Sequence, residues 1–196
     1  LKSADYGAMA AAGTALIWSP RSNITLYGDT ARVSTADRVG VQIALGTDWM
    51  PTGSMNLNRE LACADSFNKT YLDNHFSDVD LWSMVTVNAA EVTATGDVIG
   101  QLAPGKLADI SIFKRNGKPG YRAVIESEPK DVVLVMRAGK ILYGDADAVT
   151  GTTTDACDTV DVCGVAKKVC LMGEIGKTYA ALQTAVGATN YPVFAC

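Results

Sequence analysis

The segment Ala44-Leu45-Gly46-Thr47-Asp48-Trp49 decides the fold of this chain, because a buried strand is predicted to end there in a carboxylate. The apolar run Val41 to Leu45 predicts the strand, and the turn residues Met50-Pro51-Thr52-Gly53-Ser54 and a helix follow it. Asp48 is therefore expected at the C-terminal tip of a strand, where α/β barrels carry their catalytic groups. A lone carboxylate at such a place also fits a turn or a helix cap, so the neighbouring sequence has to decide.

Two helix–strand units precede Asp48. Ser3-Ala4-Asp5 predicts the start of a short Ala-rich helix, and Ala15-Leu16-Ile17-Trp18 predicts the strand after it. Ser34 with Asp37 three residues later has the sequence form of a capping box, so a second helix is predicted before the next strand. Repeated units of this kind are typical of a parallel α/β layer.

Four motifs occur in a fixed order along the first 110 residues. They are Trp18-Ser19-Pro20-Arg21-Ser22-Asn23, the Asp48 segment, Val87-Asn88-Ala89-Ala90, and Ile99-Gly100-Gln101-Leu102-Ala103-Pro104-Gly105-Lys106-Leu107-Ala108-Asp109-Ile110. Together they resemble the C-terminal part of the metal-dependent amidohydrolase superfamily, in its cytosine-deaminase, chlorohydrolase and imidazolonepropionase-like branch. The resemblance covers about residues 1 to 145. It implies an α/β fold that is the C-terminal part of a TIM-type (β/α)8 barrel with part of a small β-sandwich. The two predicted strands would be the seventh and eighth of the barrel.

The resemblance also implies roles for individual residues. Asp48 matches the family carboxylate that ends the eighth strand, binds a divalent metal, most often Zn or Fe, and exchanges protons with the bound water. Such a metal lowers the pKa of its water and polarises the group under attack. Asn23, Arg21 and Trp49 are implied to line the substrate pocket, although Ser-Pro and Ser-Asn pairs also form ordinary turns. The polar segment from Ser19 to Asn23 is expected to be a loop.

The histidine ligands of the family are missing from this sequence. The family has a His-x-His pair after its first strand and further histidines after its fifth and sixth strands. The only histidine here, His75, lies in a polar link without ligand spacing and is expected to be a surface loop residue. The chain begins at Leu1 without a methionine or a signal-like segment. We therefore expect a piece of a longer protein whose missing N-terminal part carries the other ligands, and we expect the piece alone to be inactive.

Several other reactive side chains are predicted to be structural. Cys63 lies among small apolar residues of a predicted helix and is expected to fill space in the core. Arg59 and Glu60 are expected to be solvated charges of the same helix. Asp109 is a conspicuous carboxylate in a predicted β region and is also assigned a structural role.

The second half of the chain changes from helices to short strands. A helix is predicted from near Met55, and another from Asp80 to just before Gly96. The sequence Arg137-Ala138-Gly139-Lys140 between two apolar runs predicts a hairpin. We divide the chain into residues 1–98, the end of the barrel with its following helices; residues 99–149, the β-sandwich portion; and residues 150–196, a Gly/Thr linker and tail, in which Thr178 to Val186 is amphipathic.

Four of the five cysteines lie in that tail, at Cys157, Cys163, Cys170 and Cys196. This even, clustered set predicts a disulfide framework with three open connectivities and a periplasmic or secreted location. A structural zinc site is disfavoured, because the tail has no C-x2-C pair and no histidine.

The charge and hydropathy of the chain exclude some classes of partner. The formal net charge is −4, and no basic cluster offsets it, so nucleic acid is not expected to bind. Apolar residues make up 48% of the chain, enough for a sizeable core. No apolar run reaches the roughly 18 residues that a membrane helix needs.

Two classes of function remain open at this stage. The first is the C-terminal part of a metal-dependent hydrolase that attacks a non-peptide C–N bond of a small molecule, in an amide, a cyclic amide or an amino-substituted ring, with homo-oligomerisation left open. The second is a secreted, disulfide-stapled, non-catalytic structural or interaction module. A cysteine-nucleophile or redox enzyme is least favoured, because no cysteine has a histidine companion.

Overall fold

The structure, a computed structural model, describes residues 1–187 and forms two compact units. The first unit contains Leu1–Lys106 and Lys118–Glu126. The second contains Leu107–Gly117 and the described residues from Ser127 onward. These units follow from chain packing, whereas the three sequence segments 1–98, 99–149 and 150–196 were defined by sequence composition and stay predictions.

The first unit is built from two short strands and seven helices within its described residues. In chain order they are α1 (Ser3–Ala11), β1 (Leu16–Trp18), α2 (Pro20–Tyr27), α3 (Val33–Arg38), β2 (Ile43–Leu45), α4 (Leu57–Tyr71), α5 (Asp78–Ser83), α6 (Val87–Val92) and α7 (Arg122–Ile125). The strands β1 and β2 pair in parallel, with Leu16 opposite Ile43 and Trp18 opposite Leu45. The predicted parallel helix–strand repeat is confirmed, and the residues that follow the two strands emerge side by side.

The core of the first unit surrounds these strands. All three residues of β2 are buried, as is usual for parallel strands that are covered on both faces. Trp18 is fully buried, and its indole Nε1 donates to Thr30 Oγ1 at 2.8 Å, which satisfies its one polar atom. The other buried apolar side chains of this cluster are Tyr6, Val33, Ala36, Val41, Ile43, Leu45, Leu61, Ala64, Phe76, Leu81, Met84 and Ile125.

Two predictions about the helices are wrong. The segment from Ser19 to Asn23 is not a loop, because α2 begins at Pro20, whose fixed φ and missing N–H suit the first position of a helix. The single helix predicted from Asp80 is two helices, α5 and α6. Met84 lies between them, and its backbone carbonyl accepts a hydrogen bond from the N–H of Leu45 at 2.9 Å. This carbonyl is therefore bonded to β2 and not to the next turn of a continuous helix.

The second unit is an antiparallel sheet. Its elements are β3 (Ile110–Phe113), a 3-10 turn (Pro129–Asp131), β4 (Val132–Arg137), β5 (Lys140–Asp145), α8 (Ala146–Val149), β6 (Asp158–Val162), β7 (Val165–Val169), α9 (Met172–Ile175) and α10 (Tyr179–Val186). The strand order is β3-β4-β5-β7-β6. The predicted hairpin is confirmed by the pairing of Arg137 with Lys140, and the amphipathic tail segment is α10, with Thr178 as its N-cap.

The tail contributes two strands to this sheet, which the sequence analysis did not predict. β7 pairs with β5, and a disulfide joins Cys157 to Cys170 across the open end of the β6–β7 hairpin. The disulfide prediction is confirmed for this pair. Cys163 is also disulfide-bonded, and Cys196 lies outside the described residues.

Lys167 fastens the β6–β7 hairpin to the rest of the sheet. Its ammonium group is fully buried, donates to the carbonyls of Lys130 and Val132 at 2.8 and 2.7 Å, and forms an ion pair with Asp145. Among residues 1–187, no helix combines the length and the apolar character required to cross a bilayer.

Candidate functional site

The candidate site lies where β1 and β2 end. The N–H of Gly46 donates to the carbonyl of Trp18 at 2.9 Å, so the two strand ends stay together. This contact brings the first turn of α2 next to residues 46–54, which we call the Asp48 loop. Asp48 therefore lies just beyond the C-terminal end of a parallel strand pair, as the sequence predicts.

Backbone contacts hold the Asp48 loop in a compact shape. The N–H of Ser54 donates to the carbonyl of Thr47 at 3.1 Å, and the N–H of Gly53 donates to that of Trp49 at 2.8 Å. Only glycine fits at position 53, because a Cβ there would lie 1.9 Å from the carbonyl oxygen of Thr47. Asp48 has a φ of +56°, in the left-handed region that non-glycine residues rarely adopt.

The Asp48 carboxylate is anchored at one of its two oxygens. The hydroxyl of Ser22, a fully buried residue of α2, donates to Asp48 Oδ2 at 2.5 Å. The same hydroxyl lies 3.0 Å from Thr52 Oγ1. Asp48 itself is exposed, so its second oxygen, Oδ1, remains available to a ligand.

The prediction that Glu60 is a solvated charge is wrong. It is fully buried and lies on the inner face of α4, together with Leu61, Ala64, Asp65 and Asn68. Its Oε1 accepts a hydrogen bond from the backbone N–H of Arg21 at 3.0 Å, in the first turn of α2. Its Oε2 is buried without a hydrogen-bond partner in the part of the chain that the structure describes. Arg59 is exposed, as predicted.

The three residues predicted to line a pocket lie in different surroundings. Arg21 Nε donates to the buried Ser54 Oγ at 2.9 Å, and its side chain lines a groove of about 390 Å³ between α2 and α4. Asn23 Oδ1 accepts from Thr30 Oγ1 at 3.0 Å. Trp49 is 61% exposed, next to Asp48. Their substrate contacts stay predictions.

Three other side chains that the sequence analysis singled out are His75, Cys63 and Asp109. His75 is in a loop, as predicted, but its side chain is only 15% exposed, packs against Phe76 in a T-shaped arrangement, and has Nε2 at 2.8 Å from Asp37 Oδ2. Cys63 is half-buried on α4, and burial raises the pKa of its thiol. Asp109 accepts from the N–H of Ala138 at 2.7 Å, which is the structural role that the sequence analysis assigned to it.

Four residues of the site were not predicted: Ser22, Thr52, Ser54 and Glu60. A signal for Ser22 was present, because Pro20 marks the start of a helix and places Ser22 in its first turn. A signal for Glu60 was also present, because it lies three residues after Leu57 and four before Ala64 and therefore beside the apolar face of α4, but its charge suggested exposure.

One carboxylate fits a metal site as a single ligand. Asp48 is exposed, is anchored at Oδ2 and lies on a loop fixed at the strand end. Across residues 1–187 no group of three His, Cys, Asp or Glu side chains is arranged to hold a metal ion. Asp48 can therefore complete a ligand set but does not form one with its described neighbours.

Comparison with known proteins places the chain in a family. The model of the amidohydrolase family matches residues 10–142. The chain belongs to the amidohydrolase family. This amidohydrolase chain is 32% identical over 116 residues to a 5-methylthioadenosine/S-adenosylhomocysteine deaminase of Teredinibacter turnerae, with 57% of the chain and 26% of the deaminase covered. It is 30% identical over 139 residues to a 5′-deoxyadenosine deaminase of Methanothermobacter thermautotrophicus, with 66% and 32% covered.

Solved structures of other proteins share its fold. An adenosine deaminase from Xanthomonas campestris with bound zinc superposes with a TM-score of 0.66 at 22% identity, over 72% of this chain and 34% of that one. The atrazine chlorohydrolase of Arthrobacter aurescens TC1 complexed with zinc gives 0.59 at 21% identity, with the same coverage. The amidohydrolase chain thus spans a quarter to a third of the length of these relatives. The resemblance stated from the sequence motifs is confirmed.

Proposed function

We propose that this chain is the C-terminal part of a metal-dependent hydrolase that acts on a non-peptide C–N bond of a small molecule. The observation that carries the proposal is the parallel strand pair whose C-terminal end presents Asp48, anchored at Oδ2 by Ser22. In this proposal β1 and β2 are the seventh and eighth strands of a (β/α)8 barrel, and strands of the second unit are part of a β-sandwich. Catalytic residues of such barrels stand at that end of the strands.

Asp48 would hold the metal through Oδ1, with histidine ligands from an N-terminal part of the same protein. The zinc bound in the related deaminase and chlorohydrolase structures supports a divalent metal and favours zinc over iron. A bound metal of this kind supplies an activated water at neutral pH. Asp48 would also be suited to take up a proton from that water, because a carboxylate that holds the metal lies within reach of the water bound to it.

The substrate class follows from the relatives by analogy. One relative is named a 5′-deoxyadenosine deaminase, and one solved structure is that of an atrazine chlorohydrolase. We propose a substrate with an amide, a cyclic amide or an amino-substituted ring, for which Trp49 offers an exposed aromatic face beside Asp48. Arg21 and Asn23 are proposed to contact polar groups of the substrate, in competition with their present partners Ser54 and Thr30.

Two further proposals concern the setting of the enzyme. The Cys157–Cys170 disulfide supports a periplasmic or secreted location, since structural disulfides persist in oxidising compartments. A homo-oligomer and the absence of nucleic-acid and membrane partners stay predictions. The non-catalytic module is not favoured, because the matched relatives are named as hydrolytic enzymes.

Activity measurements on the complete protein test this proposal. We would express the whole reading frame that contains this chain, load it with zinc, and assay ammonia release from adenosine derivatives and related amino-substituted rings. Asp48→Asn should abolish turnover and keep the circular dichroism spectrum. Asp29→Asn is the matched control, because Asp29 is an exposed carboxylate that accepts a hydrogen bond from the neighbouring Thr30 N–H. Wild-type turnover in Asp48→Asn would rule out the proposed role of this residue.

A further inference from the structure

The Ser22 hydroxyl lies between the Asp48 carboxylate and the Thr52 hydroxyl. It donates to Asp48 Oδ2 at 2.5 Å and lies 3.0 Å from Thr52 Oγ1. A serine hydroxyl carries one proton and accepts through its lone pairs. Because the Ser22 proton is used on Asp48, the proton between the two hydroxyls has to come from Thr52. The hydrogen bonds therefore run in one direction, from Thr52 to Ser22 to Asp48.

Ser22 is held more firmly than the carboxylate to which it donates. Ser22 is fully buried, whereas Asp48 is exposed on a loop. The first turn of α2, which contains Ser22, is tied to α4 by the hydrogen bond from the Arg21 N–H to Glu60. The same turn is tied to the Asp48 loop by the bond from Arg21 Nε to Ser54. A fixed donor on one side of a carboxylate restricts the rotation of that carboxylate.

Two features of this hydrogen-bonded group, the burial of Glu60 and the backbone conformation of Asp48, are unfavourable for the stability of the fold. Glu60 is a buried carboxylate with a hydrogen bond at Oε1 and, among the described residues, none at Oε2. Burial of a carboxylate with incomplete hydrogen bonding is unfavourable. Asp48 adopts a left-handed backbone conformation, which also costs energy. Such costs are concentrated at functional sites, so these residues point to a task beyond packing.

We propose that Ser22, supported by Thr52 and Glu60, is a positioning residue that turns the Asp48 carboxylate so that Oδ1 faces the metal. This inference rests on the proposed function. Hydrogen-bonded partners of metal ligands fix the orientation of those ligands, and their loss typically weakens metal affinity by about ten- to one-hundred-fold. The hydroxyl is suited to this work because a hydrogen bond to a carboxylate is stronger than one between neutral groups.

Zinc affinity of the complete protein, measured by competition with a chromophoric chelator, tests the inference. Ser22→Ala removes the donor, and we expect zinc affinity to fall by about ten-fold or more. Thr52→Val keeps the side-chain shape and removes only the hydroxyl, so a smaller loss in the same direction is expected. Thr25→Ala is the matched control, because Thr25 carries an exposed hydroxyl of α2 that donates to the carbonyl of Arg21 in its own helix. Its zinc affinity should equal that of the wild type.

The outcomes separate this inference from the proposed function. Unchanged zinc affinity in a folded Ser22→Ala protein, together with lost affinity in Asp48→Asn, would overturn the positioning role and leave Asp48 as a ligand. Unchanged affinity in Asp48→Asn would overturn the proposed function itself. If Ser22→Ala does not fold, Thr52→Val decides, and wild-type affinity in that variant would contradict the hydroxyl chain. Melting temperatures measured alongside distinguish a loss of metal binding from a loss of fold.

Discussion

The buried carboxylate of Glu60 accepts a hydrogen bond from the backbone N–H of Arg21 at 3.0 Å. This bond satisfies one of the N–H groups that the first turn of any helix leaves without an intrahelical partner. It joins α4 to the first turn of α2, which also contacts the Asp48 loop through Arg21 and Ser54. The stability of the first unit should therefore depend on an acceptor atom at position 60.

Substitution of Glu60 tests this dependence. Glu60→Ala leaves the Arg21 N–H without its acceptor and opens a cavity, so we expect a loss of about 1–3 kcal/mol in the free energy of unfolding. Glu60→Gln keeps an oxygen acceptor and should cost less. Urea titration followed by tryptophan fluorescence measures both values. Equal stability of Glu60→Ala and the wild type would contradict the role of the hydrogen bond.

The two glycines Gly53 and Gly7 should respond in opposite directions to alanine. A Cβ at Gly53 would lie 1.9 Å from the carbonyl oxygen of Thr47, so Gly53→Ala forces the Asp48 loop open and destabilises the first unit. Gly7 lies inside α1 with open space around it, so Gly7→Ala should stabilise the chain by up to about 1 kcal/mol. Thermal unfolding of the two variants gives the comparison. A stabilising Gly53→Ala would show that the loop is not packed as described.

Removal of the Cys157–Cys170 disulfide should destabilise the second unit. The bond closes a loop with a sequence separation of 13 residues, and cross-links of that size contribute about 3 kcal/mol. We expect the double variant Cys157→Ala/Cys170→Ala to lower the urea midpoint of the second unit. Cys63→Ala, which removes a free thiol of the first unit, is the control and should leave that transition unchanged. An unchanged midpoint in the double variant would contradict this prediction and would mean that Lys167 and strand pairing stabilise the second unit without the disulfide.

Asp131 should make the second unit sensitive to acid. Burial acts to raise the pKa of its carboxyl, but hydrogen bonds from the Glu128 N–H at 3.0 Å and Asn116 Nδ2 at 2.9 Å, with nearby lysine charges, outweigh burial and lower it. Because the folded pKa is below the unfolded one, the ionised carboxylate stabilises the fold above about pH 4, and this contribution is lost as the pH falls through the folded pKa.

The variant Asp131→Asn measures that contribution. It should be less stable than the wild type at pH 7, and the difference should shrink as the pH is lowered below about 4. Asp147→Asn, which changes an exposed carboxylate, serves as the control and should track the wild type. A stability difference for Asp131→Asn that is the same at pH 7 and pH 3 would contradict the lowered pKa.

Local signals made part of the site predictable. The apolar run before Asp48 and the Pro/Gly turn after it are contiguous in sequence, so the strand end could be predicted without tertiary information. The alternation in β6 was also present in the sequence, since Val160 and Val162 are buried and Thr159 and Asp161 are exposed. The sequence predictions nevertheless did not include this strand.

The remaining features depend on contacts between distant parts of the chain. Glu60 is buried because α2 packs on α4, and no property of the α4 sequence reveals that neighbour. The break between α5 and α6 coincides with the hydrogen bond from Leu45 to Met84, which joins segments far apart in sequence. Burial of Lys167 likewise requires the carbonyls of Lys130 and Val132, at the start of β4, which is two strands away from β7 in the sheet.

The metal content of the complete protein is the most direct test of the account. Zinc per chain would be counted by inductively coupled plasma mass spectrometry in the wild type and in Asp48→Asn, after dialysis against a weak chelator. We predict bound zinc in the wild type and a large loss in the variant, with both proteins folded. Full zinc occupancy in folded Asp48→Asn would show that this carboxylate is not a metal ligand.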